Sequence, residues 1–216
     1  MDVWKIIMIV IVLVLSGIGA LGIKEIKQEK EQTYTAGVIV YCIVMVFLNI
    51  ALSLALMFIY TDNSFLFNLK RLSIISILWP IAYIDGKTCI VPNRLLKLAL
   101  IYRAVLVLPE IFIEKKAVIG IVFSELAAAL AILLVSLICI KIMKGGIGMG
   151  DIKLFSVMAL FLSIDGLIPA VIFSFIISFF VAIYSLISRK KTKKDAIPFG
   201  PSLLIGTYLS IFLCGM

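Results

Sequence analysis

Apolar residues in this chain come in long blocks, and each block is close to the length that crosses a bilayer. That pattern decides most of what the chain can fold into. One transmembrane helix takes roughly 20 apolar residues. Eight such segments can be read, near residues 3–23, 36–60, 65–84, 95–113, 117–140, 152–163, 167–188 and 197–215. The third carries Lys70 and Arg71 near its start, and the sixth is short. Eight spans use ~160 residues of the 216 present, which leaves only short loops and no separate soluble domain. Hydrophobic residues make up 63% of the chain and charged residues 15%, against about half and about a quarter in soluble domains. A soluble globule, a disordered chain and a nucleic-acid-binding domain are excluded. The expected fold class is all-α, a polytopic integral membrane helical bundle of about eight transmembrane helices. Any chemistry sits in the membrane or at its surface.

Histidine is absent, which removes the usual neutral-pH base and the commonest metal ligand. A Ser-His-Asp triad and a histidine-based zinc site are excluded. The four cysteines, Cys42, Cys89, Cys139 and Cys214, form no C-x-x-C pair of the kind zinc requires. They read as small buried hydrophobes. No metal and no cofactor are expected. The net charge of +8 does not point to nucleic acid, because a membrane protein gains such an excess from its cytoplasmic loops.

The loops alternate in charge. Fourteen of the 20 Lys and Arg residues fall in 24–35, 85–97, 141–153 and 189–195. Five (Lys5, Lys70, Arg71, Lys115 and Lys116) belong to the other side, and Arg103 lies within the fourth segment. Positive loops stay in the cytoplasm, so the first set is read as cytoplasmic and both termini as outside. The first segment, with Lys5 and a short apolar run, is similar to a signal peptide. Cleavage there would place residues 24–35 outside, and simple alternation would then take the fourteen-charge set outside too. A retained span is the preferred reading, in a multi-pass protein of the cell (plasma) membrane.

Two acidic residues stand where spans meet that face. Asp85 ends the third segment, in Ile81-Ala82-Tyr83-Ile84-Asp85-Gly86, and Asp151 opens the sixth, after Gly145-Gly146-Ile147-Gly148-Met149-Gly150. The two intervening spans return the chain to the same side, so the carboxyls can meet. A carboxylate near hydrocarbon is expensive and is usually paired or functional. Two in contact share a proton: the ionised member can activate water while the protonated one polarises a carbonyl and later protonates a leaving amine. That is peptide hydrolysis without histidine, serine or metal. Taken singly, each aspartate has a plainer role. Asp151 fits a helix N-cap and Asp85 before Gly86 fits a turn. Gly145, Gly146, Gly148 and Gly150 permit positive φ and close approach of a substrate strand, or simply a flexible connection.

These residues resemble the type IV prepilin peptidase family of GxGD-type membrane aspartyl proteases. Three pieces carry the resemblance. Asp85 is followed by Ile90-Val91-Pro92-Asn93, with Val91 in place of the usual Ile. Gly148-Met149-Gly150-Asp151-Ile152-Lys153-Leu154 matches the second-aspartate motif, and Ile197-Pro198-Phe199-Gly200-Pro201 is similar to the segment opening the family's last span. The resemblance covers roughly residues 70–216. It implies that Asp85 and Asp151 are the catalytic pair, at the cytoplasmic face. It also implies cleavage of short basic leaders from type IV prepilin or pseudopilin-like proteins, with membrane lipid and no nucleic acid as further partner. Gly148, Gly150, Lys153, Pro92, Asn93, Pro198, Gly200 and Pro201 are the accompanying loop and motif residues. Lys153 is read as a snorkelling anchor or a positioning charge. Pro92 and Asn93 are read as shaping the turn into the fourth span, and Pro198 and Pro201 as setting a helix start. Residues 65–216 would form the core and residues 1–64 would brace it. Larger members add a cytoplasmic region with two C-x-x-C pairs and a Gly-Ser-Phe-Leu-Asn stretch, and methylate the new N-terminus with S-adenosylmethionine. Neither signature appears in residues 1–60, so N-methylation is not assigned to this chain.

Other readings were open to the same residues. An ion- or proton-coupled transporter would use the same carboxylates. Proteases of the presenilin or signal-peptide-peptidase kind also use GxGD, but there Tyr directly precedes the first aspartate, whereas Ile84 separates Tyr83 from Asp85 here. A catalytically dead scaffold would not need both aspartates. Arg103, Glu110 and Glu125 fall in or near the fourth and fifth segments, as a polar channel or substrate contact, or as structural pairing. The seven-residue spacing predicts no standard pair between Arg103 and Glu110. Asp165 reads as a loop residue between short spans.

Overall fold

The computed structural model describes residues 3–28, 36–61, 63–113, 118–143, 148–188 and 197–214. Gly145, Gly146, Lys115, Lys116, Lys144 and the basic loop 189–195 lie outside the described residues. Those described form seven helices: α1 (Val3–Gln28), α2 (Ala36–Ile59), α3 (Phe65–Thr88), α4 (Asn93–Ile113), α5 (Val118–Met143), α6 (Met149–Ile187) and α7 (Gly200–Cys214). The chain is an all-helical, polytopic membrane bundle. Four helices, α2, α3, α5 and α6, are long and apolar enough to cross a membrane by length and composition. α1 and α7 hold shorter apolar stretches, Val10–Ala20 and Gly200–Leu213, and α4 carries Arg103 and Glu110.

Seven elements stand for the eight segments expected because the sixth and seventh abut at Ser163 with no loop between them, as the two parts of α6. Ser163 breaks its course, with φ 55° and ψ −178°, a conformation that non-glycine residues rarely adopt. A straight helix would hold Phe155 and Phe175 ~30 Å apart. Both rings instead pack on Phe199, at centroid distances of 5.7 and 5.3 Å. The two halves of α6 therefore fold back on each other at Ser163. The seven helices pack as eight rods.

α3 is the central rod. In its most apolar stretch 89% of the residues are buried, against 28% in α2 and 22% in α5, and it packs against α1, α2, α4, α6 and α7. Ser64 caps its start, accepting the Phe67 N–H at 3.2 Å. The second half of α6 lies closest to α7. Gly166, Ala170 and Ser174 repeat every four residues on α6, as Ser202, Gly206 and Ser210 do on α7. Ser210 Oγ donates to the Gly166 carbonyl at 3.0 Å. A Cβ at Gly206 would sit 2.6 Å from the Ser174 nitrogen and 2.7 Å from the Ala170 oxygen, so only glycine permits this approach. Lipid gives helices no hydrophobic drive to associate, and small residues let backbones meet.

Polar side chains tie the rods together. Asn49 on α2 donates to Ser16 on α1 at 3.1 Å and accepts from Tyr208 on α7 at 2.6 Å. Tyr41 donates to the Trp79 carbonyl at 3.0 Å. At the end of the bundle remote from Asp85, four buried charges join α3, α4 and α5. Lys70 pairs with Glu125 at 2.7 Å and with Glu110 at 3.5 Å. Arg103 pairs with Glu110 at 3.1 Å and also with Glu125. The spacing rule for Arg103 and Glu110 is thus overturned: the long guanidinium side chain spans two turns, and both its terminal nitrogens reach one carboxylate oxygen. Ser163 also donates to Glu125, at 3.3 Å, which ties the break in α6 to the cluster. Asp165 follows that break and is exposed, at the start of the second part of α6.

Candidate active site

Asp85 sits in the last turn of α3. The helix continues through Gly86, Lys87 and Thr88 and is closed by Cys89 at φ 52°, whose N–H donates to the Asp85 carbonyl at 2.8 Å. A left-handed residue in this place satisfies carbonyls that the helix end leaves open. The turn reading of Asp85 and Gly86 is corrected accordingly: both are helical. The Asp85 side chain is only 4% exposed. Its Oδ2 accepts the Gly200 N–H at 2.7 Å, and the Phe199 N–H also bonds to it. The Phe199 carbonyl accepts the Leu203 N–H at 2.9 Å, so Phe199 stands at the N-cap of α7. Asp85 therefore takes up N–H groups that the start of α7 leaves without intrahelical partners, where a helix favours negative charge. A Cβ at Gly200 would lie 2.9 Å from Asp85 Oδ2 and 3.2 Å from the Ala82 Cα. Glycine is what lets α7 come down onto α3.

Asp151 is the third residue of α6 and half-buried. It is not the N-cap. That place belongs to Gly148, which makes no side-chain cap bond. Its carbonyl accepts the Asp151 and Ile152 N–H groups at 3.1 and 3.4 Å. The first turn of α6 again favours negative charge. Phe155, one turn beyond Asp151, packs on Phe199 at 5.7 Å, which sets the start of α6 beside the α7 cap that Asp85 holds. A Cβ at Gly148 would lie 3.0 Å from Asp151 Oδ2. A Cβ at Gly150 would lie 2.9 Å from the Val91 Cβ, so the start of α6 rests directly on the segment before α4.

The remaining motif residues gather around these joints. Pro92 accepts the Leu95 and Leu96 N–H groups at 3.2 and 3.4 Å and so begins α4. The next residue, Asn93, accepts from Lys153 Nζ at 3.4 Å, which links the first and second motif pieces a second time. Pro201 faces Gly86, with its Cγ 3.4 Å from where a Cβ would stand. Pro198 is half-buried just ahead of the α7 cap. The three pieces, far apart in sequence, thus meet at one end of the bundle. Three positioning residues had no role assigned from sequence. Val91 seats Gly150, while Phe199 donates to Asp85 and packs edge-on against Phe155. Val91 and Phe199 lie inside the motif pieces, but their partners are visible only in three dimensions. Among the described residues, no group of three or more Cys, Asp or Glu side chains is placed to hold a metal.

Fold and site together define a polytopic helical membrane protein that gathers two acidic side chains and a set of tight glycine contacts at one end. The chain belongs to the Type IV leader peptidase family, whose sequence profile matches residues 72–186, more than half of its length. It is 29% identical over 139 residues to the prepilin leader peptidase/N-methyltransferase of Bacillus subtilis (strain 168), covering 63% of this chain and 52% of that protein. The chain thus spans about half the length of that curated relative. No solved structure matches it. Both aspartates fall within the matched region, and Pro198, Gly200 and Pro201 lie beyond it.

Proposed function

We propose that this protein is a membrane aspartyl endopeptidase that removes the short basic leader from type IV prepilin or pseudopilin-like proteins, with Asp85 and Asp151 as its catalytic pair. The observation that carries this reading is the convergence of three separated motif pieces on two carboxyl groups at one end of the bundle. One carboxylate takes a proton from water as the water oxygen attacks the scissile carbonyl carbon. The other carboxylic acid donates its proton to the developing oxyanion. Collapse of that intermediate breaks the C–N bond, and the amine leaves with a proton returned by the pair. The glycine contacts hold both carboxyls on rigid helix termini, which serves catalysis because small misplacements are costly.

The Asp85 end is assigned to the cytoplasmic side of the cell membrane, on the strength of the basic loops. A bracing role for residues 1–64 draws support from α1 and α2. Gly19 lies against α3, where a Cβ would meet the Ser76 oxygen at 3.2 Å, and Asn49 ties α1, α2 and α7 together. The same packing favours a retained first span. N-methylation is not proposed. In the transporter alternative, the carboxylates and the buried charges of α3–α5 would line a path for ions. Those buried charges are instead bonded to one another.

The test is a purified protein in liposomes with a prepilin-like substrate, read by mass spectrometry and by proton or cation flux. Cleavage at one site between leader and apolar segment, without flux, is expected. Aspartate-dependent flux without cleavage would favour the transporter.

A further inference from the structure

A groove of about 510 Å³ runs between α4, α5 and α6, apart from the joint between Asp85 and α7. Its polar end is formed by Asn93, Lys97 and Lys153, and its walls include Leu100, Leu130 and Leu160. Among the described residues, none that lines it is acidic. We propose that this groove binds one acyl chain of an anionic phospholipid, with the lipid phosphate held by Lys97 and Lys153.

Size and charge select that occupant. Three turns of a helix about 10 Å across fill on the order of 1,300 Å³, too much for this groove to enclose. A single hydrocarbon chain fits its width, and from Lys153 to Leu160 it has ~10 Å of α6 to lie along. The inner end is apolar, because the Leu160 carbonyl is already bonded to Arg103 Nε at 2.7 Å. The outer end carries two ammonium groups at the level where α4 and α6 begin. Lysines at that level attract anionic headgroups, and their stems cover apolar surface. Asn93 accepts from Lys153 at 3.4 Å and so holds one of the two ammonium groups at the polar end of the groove. Positive charge at the mouth and apolar walls form a site for an amphiphilic anion, not for a neutral lipid.

The experiment uses the full chain in mixed detergent and lipid. Phosphatidylglycerol and phosphatidylcholine, each with a photoreactive group near the acyl terminus, are cross-linked in parallel and the labelled peptides mapped. Phosphatidylglycerol is expected to label peptides containing Leu100, Leu130 or Leu160 about fivefold more than phosphatidylcholine does. Lys97→Gln should remove most of that preference, and Lys97→Arg should keep it. A photoreactive amino acid at Leu130, used in intact membranes, should give lipid adducts. Equal labelling by the two lipids overturns the proposal. So does labelling of the groove no denser than that of the exposed Phe175–Phe180 surface, or a preference untouched by Lys97→Gln. Polypeptide adducts at Leu130 in place of lipid overturn it as well.

Discussion

At Gly200 a hydrogen atom stands where any other residue would place a carbon, 2.9 Å from Asp85 Oδ2. Gly200→Ala is therefore expected to push α7 away from α3 and slow cleavage by about 100-fold, read as a rate beside thermal unfolding. Gly86→Ala is the control one residue from Asp85. Its new methyl group would meet only Pro201, at 3.4 Å, and its rate should stay within about twofold. The two aspartates were legible in the sequence because costly charges flanked by glycine and proline stand out against apolar blocks. Their surroundings were not. Asp85 looked like a turn residue because Gly86 follows it, but the helix is closed three residues later by Cys89, which carries no sequence signal for a left-handed cap. Asp151 looked like an N-cap, but Gly148 holds that place. The contact of Val91 with Gly150 depends on where α4 and α6 cross, which no local pattern reports.

At the scale of the element, the apolar blocks located each described helix. The break that Ser163 makes in α6 falls where the sixth block ends, though hydropathy alone says nothing of the left-handed backbone there. Block hydropathy also says nothing of the α6–α7 contact. That signal was present in another form, as small residues every four positions at 166, 170 and 174 and at 202, 206 and 210. Gly206→Val should cost about 1–3 kcal/mol through overpacking, measured by unfolding in detergent, with Gly37→Val on open surface as the comparison. The buried charges behave as a unit. Glu125→Gln removes a partner from both Lys70 and Arg103 and should destabilise by about 3 kcal/mol. The double variant Arg103→Met with Glu125→Met leaves Lys70 and Glu110 to pair. Its loss should be smaller than the sum of the two single losses; a simple sum would show that the four groups do not act together.

For the whole molecule, fold class followed directly from the apolar blocks, which recur at the length of a membrane span. Orientation rests on loop charge, and Cys89 offers a direct check. It is exposed beside the Asp85 helix, whereas Cys42 and Cys139 are half-buried. With Cys42, Cys139 and Cys214 changed to serine, a membrane-impermeant maleimide should label Cys89 in inside-out vesicles and not in intact cells. Labelling in intact cells would reverse the assigned topology. The most direct measurement is the cleavage rate of a prepilin-like substrate by the native protein, by Asp85→Asn, by Asp151→Asn and by the double variant, each shown to be folded. Either single change should lower the rate by at least ~100-fold, and the double should be no slower than the worse single, since the two carboxyls serve one step. A single variant that cleaves at the native rate would contradict the assignment of Asp85 and Asp151 as the catalytic pair.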